Sequence, residues 1–144
     1  MKKAVVGLLL LYVLLPGCRR EPSKLVTSSE NKVIINTTHY NSPNTLKVVI
    51  NQATLNQNEL VISISGSGCS EKALDNDLVA EDNILESMPP QRNIKLVLRM
   101  EGQGSCAAYF TKTFRYDISA LKVEGYNQLL LNLDGYEGSL VYAY

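Results

Sequence analysis

The chain has little of what most catalytic and nucleic-acid-binding sites require. Its 144 residues include no tryptophan and a single histidine, His39. One histidine excludes a histidine-rich metal site, and a Ser/His/Asp triad would depend on His39 alone, which we expect in an exposed turn. From residue 33 onward, 12 acidic residues face 8 basic ones, whereas nucleic acid requires a basic surface. We therefore expect a protein that is not an enzyme and that uses no cofactor, no metal and no nucleic acid.

Helical periodicity is also scarce, and alternation of apolar and polar residues takes its place. The alternation predicts seven strands, at residues 32–38, 45–51, 59–65, 93–101, 106–116, 128–134 and 139–144. Short strands separated by Gly, Asn and Pro turns favour an all-β fold, an immunoglobulin-like β-sandwich, with a small β-barrel as the alternative. Residues 116–126 are loosely similar to the corner before a late strand of immunoglobulin-like domains, with Tyr126 in the position of the corner tyrosine.

One segment, residues 70–91, lacks strand character. We expect one or two helical turns near residues 71–78 and then a loop. The segment is acidic, and its Asp-Asn-Asp start resembles a calcium loop only superficially, because Ala80 stands where that loop needs glycine. A solvated loop and a docking patch for a basic partner remain open. The candidate partner-binding residues are Glu81, Asp82 and Glu86.

Tyrosine supplies most of the aromatic content, with eight Tyr against two Phe. Six of the tyrosines fall in the last third of the chain, after residue 108. Tyrosine joins apolar area to a hydroxyl group and is favoured at binding surfaces, but it also packs well in strands. Tyr109 and Tyr142 are therefore candidates for a face that binds a glycan or a protein, and packing is the alternative role.

The first eighteen residues form the most specific pattern. Met1-Lys2-Lys3 is a basic start, residues 4–15 are almost all apolar, and Leu15-Pro16-Gly17-Cys18 closes the run. The run is shorter than the roughly 20 residues that a transmembrane helix needs. The order of charge, apolar segment, small residue and cysteine is typical of a secretory signal. It resembles the signal of bacterial lipoprotein precursors, with Leu15, Gly17 and Cys18 at the lipobox positions, although Pro16 departs from the usual small or aliphatic residue.

The resemblance implies a lipid-anchored protein of the bacterial cell envelope. Signal residues 1–17 would be removed, and Cys18 would carry acyl chains such as palmitate, which attach the protein to a membrane. Arg19, where an aspartate would favour inner-membrane retention, points to the outer membrane. Residues 18–32 are polar and read as a flexible tether. We assign residues 33–144 to a single β-sandwich domain, expected to be a monomer.

Two cysteines remain after lipidation, Cys69 and Cys106. An exported chain meets an oxidising compartment, so these two are predicted to form a disulfide bond. Each follows a glycine-rich turn, which favours a common location at one end of the sandwich. The bond would constrain the unfolded chain by about 4 kcal/mol, less any strain.

These observations predict a non-enzymatic binding or accessory lipoprotein of the envelope. Its partner, a protein or a glycan, is not specified by the sequence. The alternative is an inhibitor or immunity-type lipoprotein that acts through the acidic segment 70–91.

Overall fold

The computed structural model describes residues 31–68, 74–100 and 108–144. These residues form two β-sheets that pack face to face as a sandwich. The predicted all-β sandwich is thus confirmed, and the sheets do not close into a barrel. Cys18, Cys69 and Cys106 lie outside the described residues, so their lipidation and pairing stay predictions.

The first sheet has four strands. In spatial order they are β1 (Asn31–Lys32), β7 (Ala108–Asp117), β4 (Glu59–Gly68) and β3 (Val48–Asn56). The long strands are antiparallel, and β1 runs parallel to β7. The two residues of β1 belong to the segment that was assigned to the tether, so the ordered sheet begins by Asn31.

The second sheet has five strands. In spatial order they are β2 (Ile34–Ile35), β5 (Leu74–Ala80), β6 (Gln91–Met100), β8 (Gln128–Leu133) and β9 (Ser139–Ala143). The contacts of β2 with β5 and of β6 with β8 are parallel, and the others are antiparallel. A one-turn helix, α1 (Thr37–Tyr40), follows β2, and a 3₁₀ turn at Ser119–Leu121 follows β7.

The core lies between the sheets and is built from the alternating apolar residues. Its fully buried members include Leu60, Ile62, Ile64, Leu78, Ile94, Leu98, Leu129 and Leu131. Each side chain of this size contributes about 1.5–3 kcal/mol when removed from water. Because side chains alternate between the faces of a strand, this set fixes which face of each strand points inward.

Strand β3 extends beyond the predicted residues 45–51 because a β-bulge at Asn51 changes its phase. Ile50 pairs with Ile64, and Gln52 pairs with Ser63, so Asn51 has no partner of its own in the register. The bulge lets Val48 and Ile50 face the core before it and Ala53 and Leu55 face the core after it. The residues after Asn51, predicted as a polar turn, are therefore strand as far as Asn56.

The segment 70–91 also differs from the prediction, because its described part contains a strand where helical turns were expected. Strand β5 pairs with β6 along its whole length, from Leu74 opposite Met100 to Ala80 opposite Ile94. Its inward positions include Asn76, whose side-chain oxygen accepts a 2.5 Å hydrogen bond from the hydroxyl of buried Tyr116. The polar Asn76 is accommodated because this bond satisfies it.

The corner between β7 and β8 also uses a different tyrosine from the predicted Tyr126. Tyr126 is largely exposed. The hydroxyl of Tyr144 instead bonds the corner, accepting from the backbone N–H of Val123 at 2.8 Å. The resemblance to an immunoglobulin corner thus does not extend to Tyr126.

Candidate functional site

The acidic candidates mainly serve the structure of the domain. Asp82 accepts the backbone N–H of Thr37 at 2.9 Å, and its own N–H donates to the Thr37 hydroxyl at 3.0 Å. These bonds satisfy a free donor at the start of α1 and hold the pKa of the Asp82 carboxyl below its usual value. Glu81 accepts a hydrogen bond of 2.8 Å from the Asn93 side chain. Of the three acidic candidates, only Glu86 is exposed and makes no such hydrogen bond to another described residue.

The tyrosine candidates divide between surface and core. Tyr109, near the start of β7, is 73% exposed. Tyr142 is only 1% exposed, and its hydroxyl donates to the Asn58 side chain at 2.7 Å. The prediction that Tyr142 contributes to a binding face is wrong, because its position in β9 points inward across from Leu129. Burial raises the pKa of Tyr142 to about 12.

A polar cluster that the sequence did not reveal lies on the outer face of β5 and β6. The Arg99 guanidinium bonds Asp75 at 2.8 Å and Asp77 at 2.6 Å, and it lies 3.2 Å from the His39 ring. These contacts raise the pKa of Arg99. Because Arg99 bonds both carboxylates and also lies against His39 of α1, the cluster links α1 to the sheet. Within the described residues, no three His, Cys, Asp or Glu side chains converge on a metal site.

A second unexpected feature is the buried Arg92 of β6. The residue is 6% exposed, and its Nε and Nη1 atoms have no hydrogen-bond partner among the described residues. Burial lowers the pKa of the guanidinium, and Asp82 and Tyr144 only partly offset this effect. The arginine lies beside Leu131 of β8 in the sheet register. It is an electrostatic cost to the fold rather than part of an open site.

The open surface of the domain is concentrated where the chain crosses from one sheet to the other before β3. The side-chain amide of Asn44 forms two hydrogen bonds with β6. Its nitrogen donates to the Leu96 carbonyl at 3.2 Å, and its oxygen accepts from the Leu98 N–H at 3.0 Å. The backbone N–H of Thr45 also donates to Leu98, at 3.2 Å. These bonds fix the crossing segment, and a depression lies on each side of it.

The first depression, which we call the inner cleft, opens between the two sheets and has a volume of about 330 Å³. It is lined by Asn44, Leu46, Lys47, Val48, Ile50, Leu96, Asp134 and Gly135. Its lining combines the apolar residues Leu46, Val48, Ile50 and Leu96 with the polar residues Asn44, Lys47 and Asp134. Apolar side chains together with a few polar groups are typical of ligand-binding clefts.

The second depression, the outer groove, lies on the exposed face of the four-stranded sheet and has a volume of about 480 Å³. It is lined by Leu46, Lys47, Val48, Val49, Ser65, Gly66, Ser67 and Tyr109. Val49 is 65% exposed here, and Tyr109 stands opposite Ser67 in the register. A Cβ atom at Gly66, beneath the groove, would lie 3.1 Å from the side chains of both Phe110 and Val48, so a larger residue there would need these neighbours to shift.

The two depressions adjoin, since Leu46, Lys47 and Val48 line both. Of the residues proposed from the sequence, only Tyr109 lies at this site. The sequence analysis did not identify Val49. The available signal is its alternation with Val48 and Ile50, which places a valine on the opposite face of the strand.

Comparisons with known proteins give the fold but not a family. No family model matches the chain, and no curated protein matches it. A protein of unknown function, DUF1344, from Bacteroides vulgatus is similar in structure, with a TM-score of 0.53 and 16% identity over 79% of this chain and 56% of that one. The chain thus spans little more than half of that protein. A candidate lipoprotein from Bacteroides fragilis aligns with a TM-score of 0.46 and 11% identity, over 79% of this chain and 68% of that one.

No helix among residues 31–68, 74–100 and 108–144 is both long and apolar enough to cross a membrane.

Proposed function

We propose that the chain is a lipid-anchored, non-enzymatic binding module of the bacterial envelope, which holds a partner at the inner cleft and outer groove. The observation that carries the binding role is the junction of two depressions at one stretch of chain, with exposed Val49 and Tyr109 beside it. Apolar and aromatic side chains exposed together mark interaction surfaces. The anchoring role rests on the lipobox that ends at Cys18.

The binding role is tested with envelope material applied to immobilised full-length protein. We expect Tyr109→Ala to reduce capture of the partner, because it removes the largest exposed ring at the groove. Tyr126→Ala is the matched control, since Tyr126 is also exposed but lies on the distant β7–β8 connection. Equal capture by wild type and Tyr109→Ala, with equal melting temperatures, would refute a role for this surface.

The anchoring role is tested by membrane fractionation. Cys18→Ser should move the protein from the membrane to the soluble fraction, because the acyl chains would have no attachment site. Cys69→Ser is the control and should remain membrane-bound. Arg19→Asp should shift the protein from outer to inner membrane on a density gradient. Membrane association of Cys18→Ser would contradict the lipoprotein proposal.

A second candidate function, inhibition of another protein by a protruding loop, rests on the connection between β5 and β6. Leu85 and Gln91 close this loop by two backbone hydrogen bonds of 2.8 and 3.1 Å. Its tip presents Met88, which is 89% exposed, beside the exposed Glu86. If this loop is the binding element, Met88→Asp should abolish capture while Tyr109→Ala leaves it unchanged.

A further inference from the structure

Strand β3 is an unusual sheet edge. It is nine residues long, carries no charged residue, and among the described residues pairs with β4 alone. We propose that the first part of β3, from Val48 to Ile50, together with Leu46 and Lys47 that lead into it, binds an extended peptide segment of a protein partner by strand addition. This inference rests on the proposed function, because it names the class of partner that the inner cleft and outer groove receive.

The other sheet edges are shorter or charged. Strands β1 and β2 have two residues each, and β9 has five. The lengths of β5 and β7 that β2 and β1 leave uncovered carry the charged residues Asp75, Asp77, Lys112 and Arg115. Short length and charge are the usual protections of an edge against pairing with another chain. Strand β3 lacks both, and it lies at the opposite edge of its sheet from β1.

The position of the two depressions matches the geometry of an added strand. Successive side chains of a strand point to opposite faces of its sheet. A strand paired with the edge of β3 would therefore direct alternate side chains toward the inner cleft and the outer groove. One set would approach Ile50 and Leu96, and the other Val49 and Tyr109.

The chemistry of the edge favours a peptide over a glycan. Backbone N–H and C=O groups on the free side of β3 alternate along the strand, and an extended peptide supplies donors and acceptors with the same spacing. A glycan could use Tyr109 and the serines of the outer groove, but it would leave the inner cleft and the edge unused. Because Val48, Val49 and Ile50 are apolar, with Lys47 as the charged residue of the site, we expect a segment with alternating apolar side chains.

The bulge limits the length of the site. At Asn51 the register shifts, and the Asn51 side chain accepts a 3.0 Å hydrogen bond from Ser65 on the neighbouring strand. A bulge twists an edge and interrupts regular pairing. The regular strand beside both depressions is therefore confined to residues 48–50, and Leu46 and Lys47 lead into it.

The experiment uses the full-length protein in detergent and a displayed library of random peptides. Selected peptides are then measured for affinity and for protection of backbone amides from hydrogen exchange. We expect peptides with alternating apolar residues that protect the amides of residues 46–50. Val49→Lys should weaken them about thirtyfold, the fold-change that corresponds to ~2 kcal/mol at a central interface position.

Two control variants separate loss of binding from loss of fold. Thr54→Lys adds the same charge to the exposed face of β3 beyond the bulge and should leave affinity unchanged. Val49→Thr keeps the β-branched shape and should weaken binding less than Val49→Lys. Melting temperatures of all variants should agree within a few degrees. If Val49→Lys does not fold, the peptide affinity of Val49→Thr, which should be lower than that of wild type, becomes the deciding measurement.

The outcomes are distinct. Selected peptides that bind Val49→Lys as well as wild type, or that leave the amides of β3 unprotected, would overturn strand addition. Binding to a glycan array that depends on Tyr109, without amide protection, would overturn the peptide class while supporting the proposed function. A β3-mediated dimer, seen by sedimentation and lost in Val49→Lys, would identify a second copy instead and overturn the proposal. If no peptide or glycan binds at this surface, both proposals fail.

Discussion

At the scale of single residues, Arg92 shows how a charge can be kept inside the sandwich at a cost to stability. Its guanidinium is buried, and Nε and Nη1 find no hydrogen-bond partner within the part of the chain that the structure describes. Replacing an imperfectly paired buried charge by an apolar side chain of similar length is often neutral or stabilising. We therefore expect Arg92→Met to raise the free energy of unfolding by about 1 kcal/mol, as measured by urea denaturation.

The control for Arg92 is Arg115→Met. Arg115 forms a 2.8 Å ion pair with Glu59 at the surface, where such pairs contribute about 0–1 kcal/mol. Its replacement should change stability little or lower it slightly. A large loss of stability in Arg92→Met would mean that the guanidinium has a stabilising partner beyond the described residues.

Tyr142 provides a pH-dependent test at the same scale. Its hydroxyl donates at 2.7 Å to Asn58, an exposed residue between β3 and β4, so Tyr142→Phe should cost about 0.5–1.5 kcal/mol, the net contribution of one hydrogen bond. Burial raises the pKa of the hydroxyl to about 12 from an ordinary value of about 10. The folded state thus prefers the neutral form, and this contribution is complete below pH 10 and is lost as the pH rises toward 12.

Urea denaturation across this alkaline range should show a smaller pH-dependent loss in Tyr142→Phe than in wild type. Burial also raises the pKa of Tyr116. Part of the alkaline loss of stability will therefore remain in both proteins. Exposed Tyr126 is the control site, and Tyr126→Phe should leave the profile unchanged. An identical alkaline slope in wild type and Tyr142→Phe would contradict the assignment.

At the scale of elements, the bulge in β3 can be removed by one deletion. Without Asn51, the inward residues Val48, Ile50, Ala53 and Leu55 would follow each other with an unbroken period of two. We expect the deletion variant to fold, with the loss of the Ser65–Asn51 hydrogen bond costing about 1 kcal/mol. Its edge would be flat and uncharged along the whole of β3, and such edges associate.

Sedimentation velocity should therefore detect concentration-dependent association of the Asn51 deletion variant. Adding Thr54→Lys to the deletion should reverse it, because a charge on an edge opposes pairing. A deletion variant that remains monomeric at high concentration would show that the bulge does not protect this edge.

The strands that could be predicted from the sequence are those whose inward side chains are all apolar. In residues 59–65 and 128–134 every inward position is Leu or Ile, and β4 and β8 begin there. Strand β5 was missed because Asn76 interrupts its apolar face, and Asp and Asn are depleted in strands. Only the tertiary contact with Tyr116 makes Asn76 acceptable in the core, and a contact between residues 76 and 116 leaves no local signal.

The start of the domain could not be predicted for a related reason. Residues 32–38 alternate weakly, and they divide into two short strands on different sheets followed by α1. Asn36 caps this helix by accepting the N–H of His39 at 2.8 Å. The capping partner Asp82 is distant in sequence, so the helix depends on contacts that alternation cannot indicate.

At the scale of the whole molecule, the candidate site is a product of the packing of two sheets. The inner cleft takes Ile50 from one sheet and Leu96 from the other, with Gly135 of the β8–β9 turn at its side. Alternation within the predicted strand 45–51 puts Val48 and Ile50 on one face, and both side chains pack against the core. Periodicity could not indicate that the inner cleft opens beside Val48 and Ile50, because the cleft depends on where β8 ends relative to β6.

The register of β4 and β7 bears on the predicted disulfide bond and gives a last test. Gly68 and Ala108 are partners in this register, so the described ends of the chain that lead toward Cys69 and Cys106 lie side by side.

Because the bond would close a long loop, Cys69→Ser should lower the free energy of unfolding by up to about 4 kcal/mol. Denaturation with and without a reductant measures this change. Cys106→Ser should lose the same amount, and the double variant should lose no more than either single one, since both changes remove one bond. Single variants as stable as wild type, or losses that add in the double variant, would contradict the pairing of Cys69 with Cys106.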